Sequence, residues 1–180
     1  MKTPALCAAL VALAASPALA PFHANAQTAT MSSSQMTAPM FVQMAAMSDM
    51  FEIQSSQAAL KNSKDAEVRK FAQMMIDDHT KMSAELKAAV QAGNVNAQIP
   101  MSLTGEKAQM LEQLSSMSGE KFDQMYWKAQ VQGHQEALQL AQNYAKNGDN
   151  AALKAHAQKG APIIEQHLKM AQKMMGAGKS

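Results

Sequence analysis

Residues 65–92, DAEVRKFAQMMIDDHTKMSAELKAAVQA, decide the fold. Val68, Ala72, Met75, His79, Met82 and Leu86 recur at three- and four-residue steps, which places them on one face of an α-helix. Gly93 follows where that helix should stop. One member of the apolar stripe is a histidine, so the pattern that predicts the helix also turns an imidazole toward the core.

Upstream, Asn62-Ser63 breaks a preceding helix that should begin near Pro39, a favourable first-turn residue, and run to about Lys61. Downstream, Asn94 to Pro100 reads as a loop and Leu103 to Met117 as a shorter helix. Ser118 is positioned to cap a long helix from Gly119 to Asn147, and Asp149 to cap a last one that reaches Met175 before Gly176. Pro162 lies inside that last helix and should kink it, at a cost of about 3 kcal/mol unless the bundle accommodates the bend. A weak repeat at constant offset matches Lys61-Asn62 with Lys146-Asn147 and Ala72-Gln73 with Ala157-Gln158, as two related hairpins would, although Ala/Lys/Gln-rich helices produce such matches by composition alone.

The connection from Gly93 to Ser118 is far longer than the roughly two to eight residues of an up-down turn and is long enough to cross a bundle. The expected architecture is therefore all-α: a ferritin-like four-helix antiparallel bundle with a long middle crossover containing a short extra helix. The composition agrees, since 47% of residues are apolar but only 4% aromatic, leaving Ala, Leu and Met to fill close-packed helices.

The N-terminus reads as a secretory signal, with Lys2 before an apolar run from Ala5 to Ala15 and small residues after it. Ala24-Asn25-Ala26 is preferred over Ala18-Leu19-Ala20 for cleavage, because the latter would leave Pro21 first. The expected organisation is a signal peptide over 1–26, a polar leader over 27–38 and the bundle over 39–176. The apolar run is too short to span a bilayer comfortably, so no transmembrane segment is expected after cleavage. Cys7, the single cysteine, falls inside the signal, leaving no disulfide. The remaining chain would carry 15 basic and 14 acidic residues, which gives no electrostatic reason to bind nucleic acid. The expected location is the periplasm or outer envelope.

Three more ionisable residues share the placement of His79. His134 recurs with Trp127, Val131, Leu138 and Ala141, His167 with Ile163, Ile164, Met170 and Met174, and Glu52 with Phe41, Ala45, Ser48, Ser55 and Ala59. Each long helix sends one candidate ligand inward. At about 1.5 Å rise per residue, Glu52 and His79 lie about 16 and 24 Å from the first hairpin turn, and His134 and His167 about 21 and 28 Å from the second. If the crossover puts those turns at opposite ends, all four meet near the middle; in an up-down-up-down order the turns share an end and the heights still overlap.

One carboxylate with three imidazoles suits a divalent ion such as zinc, iron, manganese or copper. The competing reading is a polar layer in which these groups bond one another and fix helix register. Asp78 and Glu165, beside two of the histidines, read either as partners behind those histidines or as solvated, and their direction on the helix favours solvation. The Glu-x-x-His motif of di-iron bundles is absent, as Ile76, Val131 and Ile164 precede the three histidines by three. No nucleophile motif is present, so catalysis has no support in the sequence. Met36, Met40, Met44, Met47 and Met50 form a stripe, readable as adaptable core filling or as soft ligands for Cu(I).

The segments MFEIQSSQAALKNSKDAEVRKFAQMMIDDHTKMSAEL, FDQMYWKAQVQGHQEALQLAQNYAKNGDNAALKAHAQ and APIIEQHLKMAQ resemble the exported bacterial family called domain of unknown function 4142. The resemblance runs from about Phe41 to Lys173, and Glu52, Asp78-His79, Phe122-Asp123, His134 and His167 fall on its pattern. It implies a ferritin-like, periplasmic or outer-membrane protein with no settled activity. Metal homeostasis and envelope stress are the roles that fit, against a non-enzymatic structural or interaction protein of the envelope whose partner the sequence does not name.

Overall fold

The computed structural model describes residues 36–177. The signal and most of the leader expected from the sequence lie outside the described residues. Five helices follow one another: α1 (Ala38–Asn62), α2 (Ala66–Ala92), α3 (Gly105–Ser115), α4 (Gly119–Asn147) and α5 (Ala151–Ala177). Among the described residues there is no strand.

Local chemistry sets most of the boundaries. The Asp65 carboxylate accepts from the Glu67 and Val68 N–H groups at 2.9 Å each, satisfying two donors that the first turn of α2 leaves free. At the start of α4, Ser118 occupies the cap position without a side-chain cap bond, contrary to expectation; the chain enters instead through Gly119 at φ 60, a conformation that side chains disfavour. Asp149 is likewise not the cap of α5. Asn150 accepts from Leu153 N–H at 3.2 Å, while Asp149 takes the Tyr144 hydroxyl at 2.7 Å and the Ala38 N–H at 3.2 Å. Asp149 thus ties the start of α1 to the α4–α5 turn. Helix α5 continues through exposed Pro162.

Contacts between helices fix the topology. As residue numbers rise along α1 they fall along α4: Phe41 stacks on Tyr144 with ring centroids 4.0 Å apart, and Ser56 bonds the Tyr126 hydroxyl at 2.8 Å. The same inversion relates α2 to α5, where Asp78 meets His167 at 2.9 Å and Glu85 meets Lys159 at 2.7 Å. Each long helix is therefore antiparallel to both neighbours, the order being up-down-down-up, and the two hairpin turns lie at opposite ends. That order requires the 93–118 crossover to travel the length of the bundle. Its helix α3 lies over α1 and α4, buries Leu114 completely, and holds Lys107 5.2 Å from the Phe51 ring centre.

Two large apolar clusters fill most of the interior, with a smaller one of Met82, Ala137, Ala141 and Ile164. One holds Phe71, Phe122, Tyr126 and Trp127, the other Phe41, Leu86, Tyr144 and Leu153. Both surround aromatic side chains that bury large areas, which offsets the small volume of the many alanines. Between them lies a layer of buried polar side chains: Asp49, Glu52, Ser55, His79, Gln130, His134 and His167.

Candidate metal centre

The up-down-down-up order brings three of the four inward candidates face to face. The ring centroids of His79 and His134 are 5.5 Å apart, those of His79 and His167 5.5 Å, and those of His134 and His167 5.4 Å, a nearly equilateral triangle. One ring nitrogen from each lies within 4.8 Å of the others, and all three side chains are buried.

Each ring's second nitrogen is anchored. His134 Nδ1 is 2.8 Å from the Gln130 carbonyl oxygen, which can only accept, so Nδ1 carries the proton and Nε2 presents a lone pair. His79 Nδ1 donates to Asp49 Oδ1 at 2.8 Å, and His167 Nε2 donates to Asp78 Oδ2 at 2.9 Å. The opposite nitrogens, His79 Nε2, His134 Nε2 and His167 Nδ1, are buried without a hydrogen-bond partner. Buried polar atoms without partners are costly, by about 1–3 kcal/mol each. Three buried ring nitrogens without partners, on rings packed closely enough for one nitrogen of each to reach a common ion, make a site that fits a cation once His79 gives up its proton. Imidazoles held by a carboxylate or carbonyl on the far nitrogen are the usual arrangement of metal-binding histidines.

The electrostatics prepare these nitrogens unequally. Burial pushes His134 down to about 3, helped by the nearby His79, and pushes His167 down to about 4. Both are therefore neutral at ordinary pH. Burial pulls His79 the same way, but the hydrogen bond and charge of Asp49 outweigh it and hold this imidazole above its ordinary value. His79 is the ring on which a proton competes with a metal.

Glu52 stands beside the triangle. Its Oε1 is 3.9 Å from His134 Nδ1, on the anchored side of that ring, and neither carboxyl oxygen has a hydrogen-bond partner. Burial raises it to about 7, with the charge of His79 pulling the other way. Space for this carboxyl comes from Gly133: a Cβ there would stand 2.6 Å from Oε1.

Asp78 takes the partner role behind His167 while its side chain stays 41% exposed. It sits about 100° around α2 from His79, off the inner face, but that direction points into the seam with α5, where His167 meets it. Glu165 pairs with Lys169 at 2.6 Å on the outer surface. Sequence reasoning missed Asp49, Gln130 and Gly133. Asp49 precedes Glu52 by three residues and follows Ser48, so its place on the inner face of α1 was readable. Of the methionine stripe, Met40 and Met44 are 50% and 47% exposed, so core filling does not describe them.

Residues 21–174 match the model of the family described as Domain of unknown function (DUF4142). No curated protein matches the chain in sequence. Among solved structures the fold is similar to CopM in its Cu(I)-bound form, at 19% identity and a TM-score of 0.67 over 81% of this chain and 100% of that one. CopM in its Cu(II)-bound form gives 20% identity and a TM-score of 0.66 over 79% and 98%. A DUF305 fragment from Deinococcus radiodurans gives 14% identity and a TM-score of 0.65 over 76% and 93%. At these identities the likeness is one of fold. Among the described residues no helix is long and apolar enough to cross a membrane.

Proposed function

The chain belongs to the domain of unknown function 4142 family, and from its geometry we propose that it is an exported metal-binding protein, with copper the ion that suits its centre. His79, His134 and His167 are the ligands in this reading, and Glu52 is the adjacent carboxyl that balances the charge of the bound ion. The observation that carries it is the set of three buried, unpartnered ring nitrogens whose opposite nitrogens are all anchored.

Three neutral nitrogen donors suit imidazole-preferring ions such as copper and zinc and not magnesium or calcium, which take oxygen. Copper sits at the top of the affinity order for such donors, and the similar CopM structures are copper-bound forms. A carboxyl poised near neutrality ionises further when a cation arrives beside it, so Glu52 supplies more negative charge when the site is loaded. Export rests on the signal-like residues 1–26. A role in metal homeostasis of the envelope follows from these two properties together.

Equilibrium dialysis of the purified protein against micromolar copper, with elemental analysis, tests the reading. One copper per chain is expected, lost in the His79→Ala/His134→Ala double variant. Absence of binding in the unmodified protein, or equal binding in both, sinks it.

A further inference from the structure

The buried centre needs a route by which an ion reaches it, and the outer face of α1 offers one. Met44 and Met47, one helical turn apart, line a surface groove of about 340 Å³ between α1, the start of α3 and α4. On the inner side lies a partly open cavity of about 30 Å³, lined by residues of all four long helices, Asp49 and His79 among them. That volume holds about one water-sized species. Ser48, Ala137 and Leu140 line both the groove and the cavity, so they form the wall between them. Two of these three are small, and Ser48 Oγ is buried with no hydrogen-bond partner.

We infer that Met44 and Met47 form a thioether capture site for Cu(I), which passes across the Ser48/Ala137 wall into the inner cavity and onto His79. Thioethers are soft, neutral ligands that favour Cu(I) and leave zinc unattended. Their exposure on a helix with ample apolar alternatives is unexplained by packing, since Met44 is 47% exposed and Met47 is only partly covered. Met40, 50% exposed and one turn before Met44, extends the same face. The partnerless Ser48 hydroxyl offers an oxygen midway, and the inner cavity is lined by His79 beside Asp49. The step is ligand exchange: copper stays Cu(I) throughout, leaving two sulfurs and gaining imidazole nitrogen, with one proton released wherever His79 was protonated.

This inference rests on the triad being a copper site, and the experiment separates the two. Cu(I) is supplied anaerobically as its bicinchoninate complex to the full chain, and loading is followed by stopped-flow loss of the complex's colour, with Zn(II) loading in parallel. The Met44→Leu/Met47→Leu variant should load Cu(I) at least tenfold more slowly, with unchanged final occupancy and unchanged Zn(II) rate. A second variant, Ser48→Val, should slow both ions. Unchanged Cu(I) loading in the methionine variant overturns the capture site, as does equal slowing of Zn(II); unchanged rates in Ser48→Val overturn the route. Failure of the unmodified chain to take up Cu(I) at all overturns the triad reading itself.

Discussion

Replacing Asp49 with Asn removes a charge from behind His79 while leaving the shape of the site intact. The carboxylate accepts from His79 Nδ1 at 2.8 Å and from Ser83 Oγ at 3.2 Å. An amide can keep both bonds, its oxygen toward the ring and its NH2 toward the serine oxygen, so the ring should stay in place. What is lost is the negative charge that makes Nε2 a stronger donor. Substitutions behind metal-binding histidines typically cost about 10–100-fold in affinity, or about 1.4–2.7 kcal/mol. Asp49 is nine-tenths buried and unscreened, so the upper half of that range is expected. The same charge also holds the competing proton on His79. In Asp49→Asn that proton is held less tightly, so the affinity deficit should be largest near pH 8 and shrink toward pH 6. Competition titration of Cu(II) against a chromophoric chelator at both pH values measures it. Asp78→Asn, behind His167 but 41% exposed at its side chain, should cost less. Undiminished affinity at pH 8, or a deficit that grows on acidification, would refute the argument.

Two further outcomes concern the metal-free protein. His134 and His167 have folded values of about 3 and 4, below the ordinary 6.5, so each contributes stability that is present above pH 6.5 and lost as pH falls, at about 1.4 kcal/mol per unit. Glu52, raised from 4.5 to about 7, acts in the opposite sense, being most favourable below pH 4.5 and losing stability as pH rises to 7. Glu52→Gln should therefore steepen the rise of stability between pH 5 and 6.5 by about 1.4 kcal/mol per unit, as urea melts would show; a slope equal to that of the unmodified protein contradicts this. Gly133→Ala should destabilise the unmodified protein, because the new Cβ meets Glu52 Oε1 at 2.6 Å. In a Glu52→Ala background the same change should stabilise by about 1 kcal/mol through helix propensity, and the same sign in both backgrounds would remove the packing explanation.

The bundle was legible because its signals are local. Periodicity located the long helices, Asn62-Ser63 marked the first turn, and the length of the 93–118 segment allowed the crossover along the bundle. The triad was legible for the same reason, since each histidine interrupts an apolar stripe on its own helix. What surrounds it was not, because those relations run between helices. Asp78 reads as an outward residue until α5 is placed against it, and Gly133 reads as a weak point in a helix until Glu52 occupies the space its missing side chain leaves. The cap of α5 was misplaced by one residue, because Asp149 is drawn away by Tyr144 and Ala38 and Asn150 takes the Leu153 N–H. The methionine stripe has helical spacing whether buried or exposed, so spacing could not decide its role.

The most direct test of the central claim is the X-ray absorption spectrum of the copper-loaded protein. Three anchored imidazoles with free nitrogens facing one another predict one copper per chain and the multiple-scattering pattern of three histidine rings, reduced in step with each of His79→Ala, His134→Ala and His167→Ala. Substoichiometric copper, or a shell unchanged by those substitutions while they still shift the melting temperature of metal-free protein, would contradict the account and leave the layer a device for helix register.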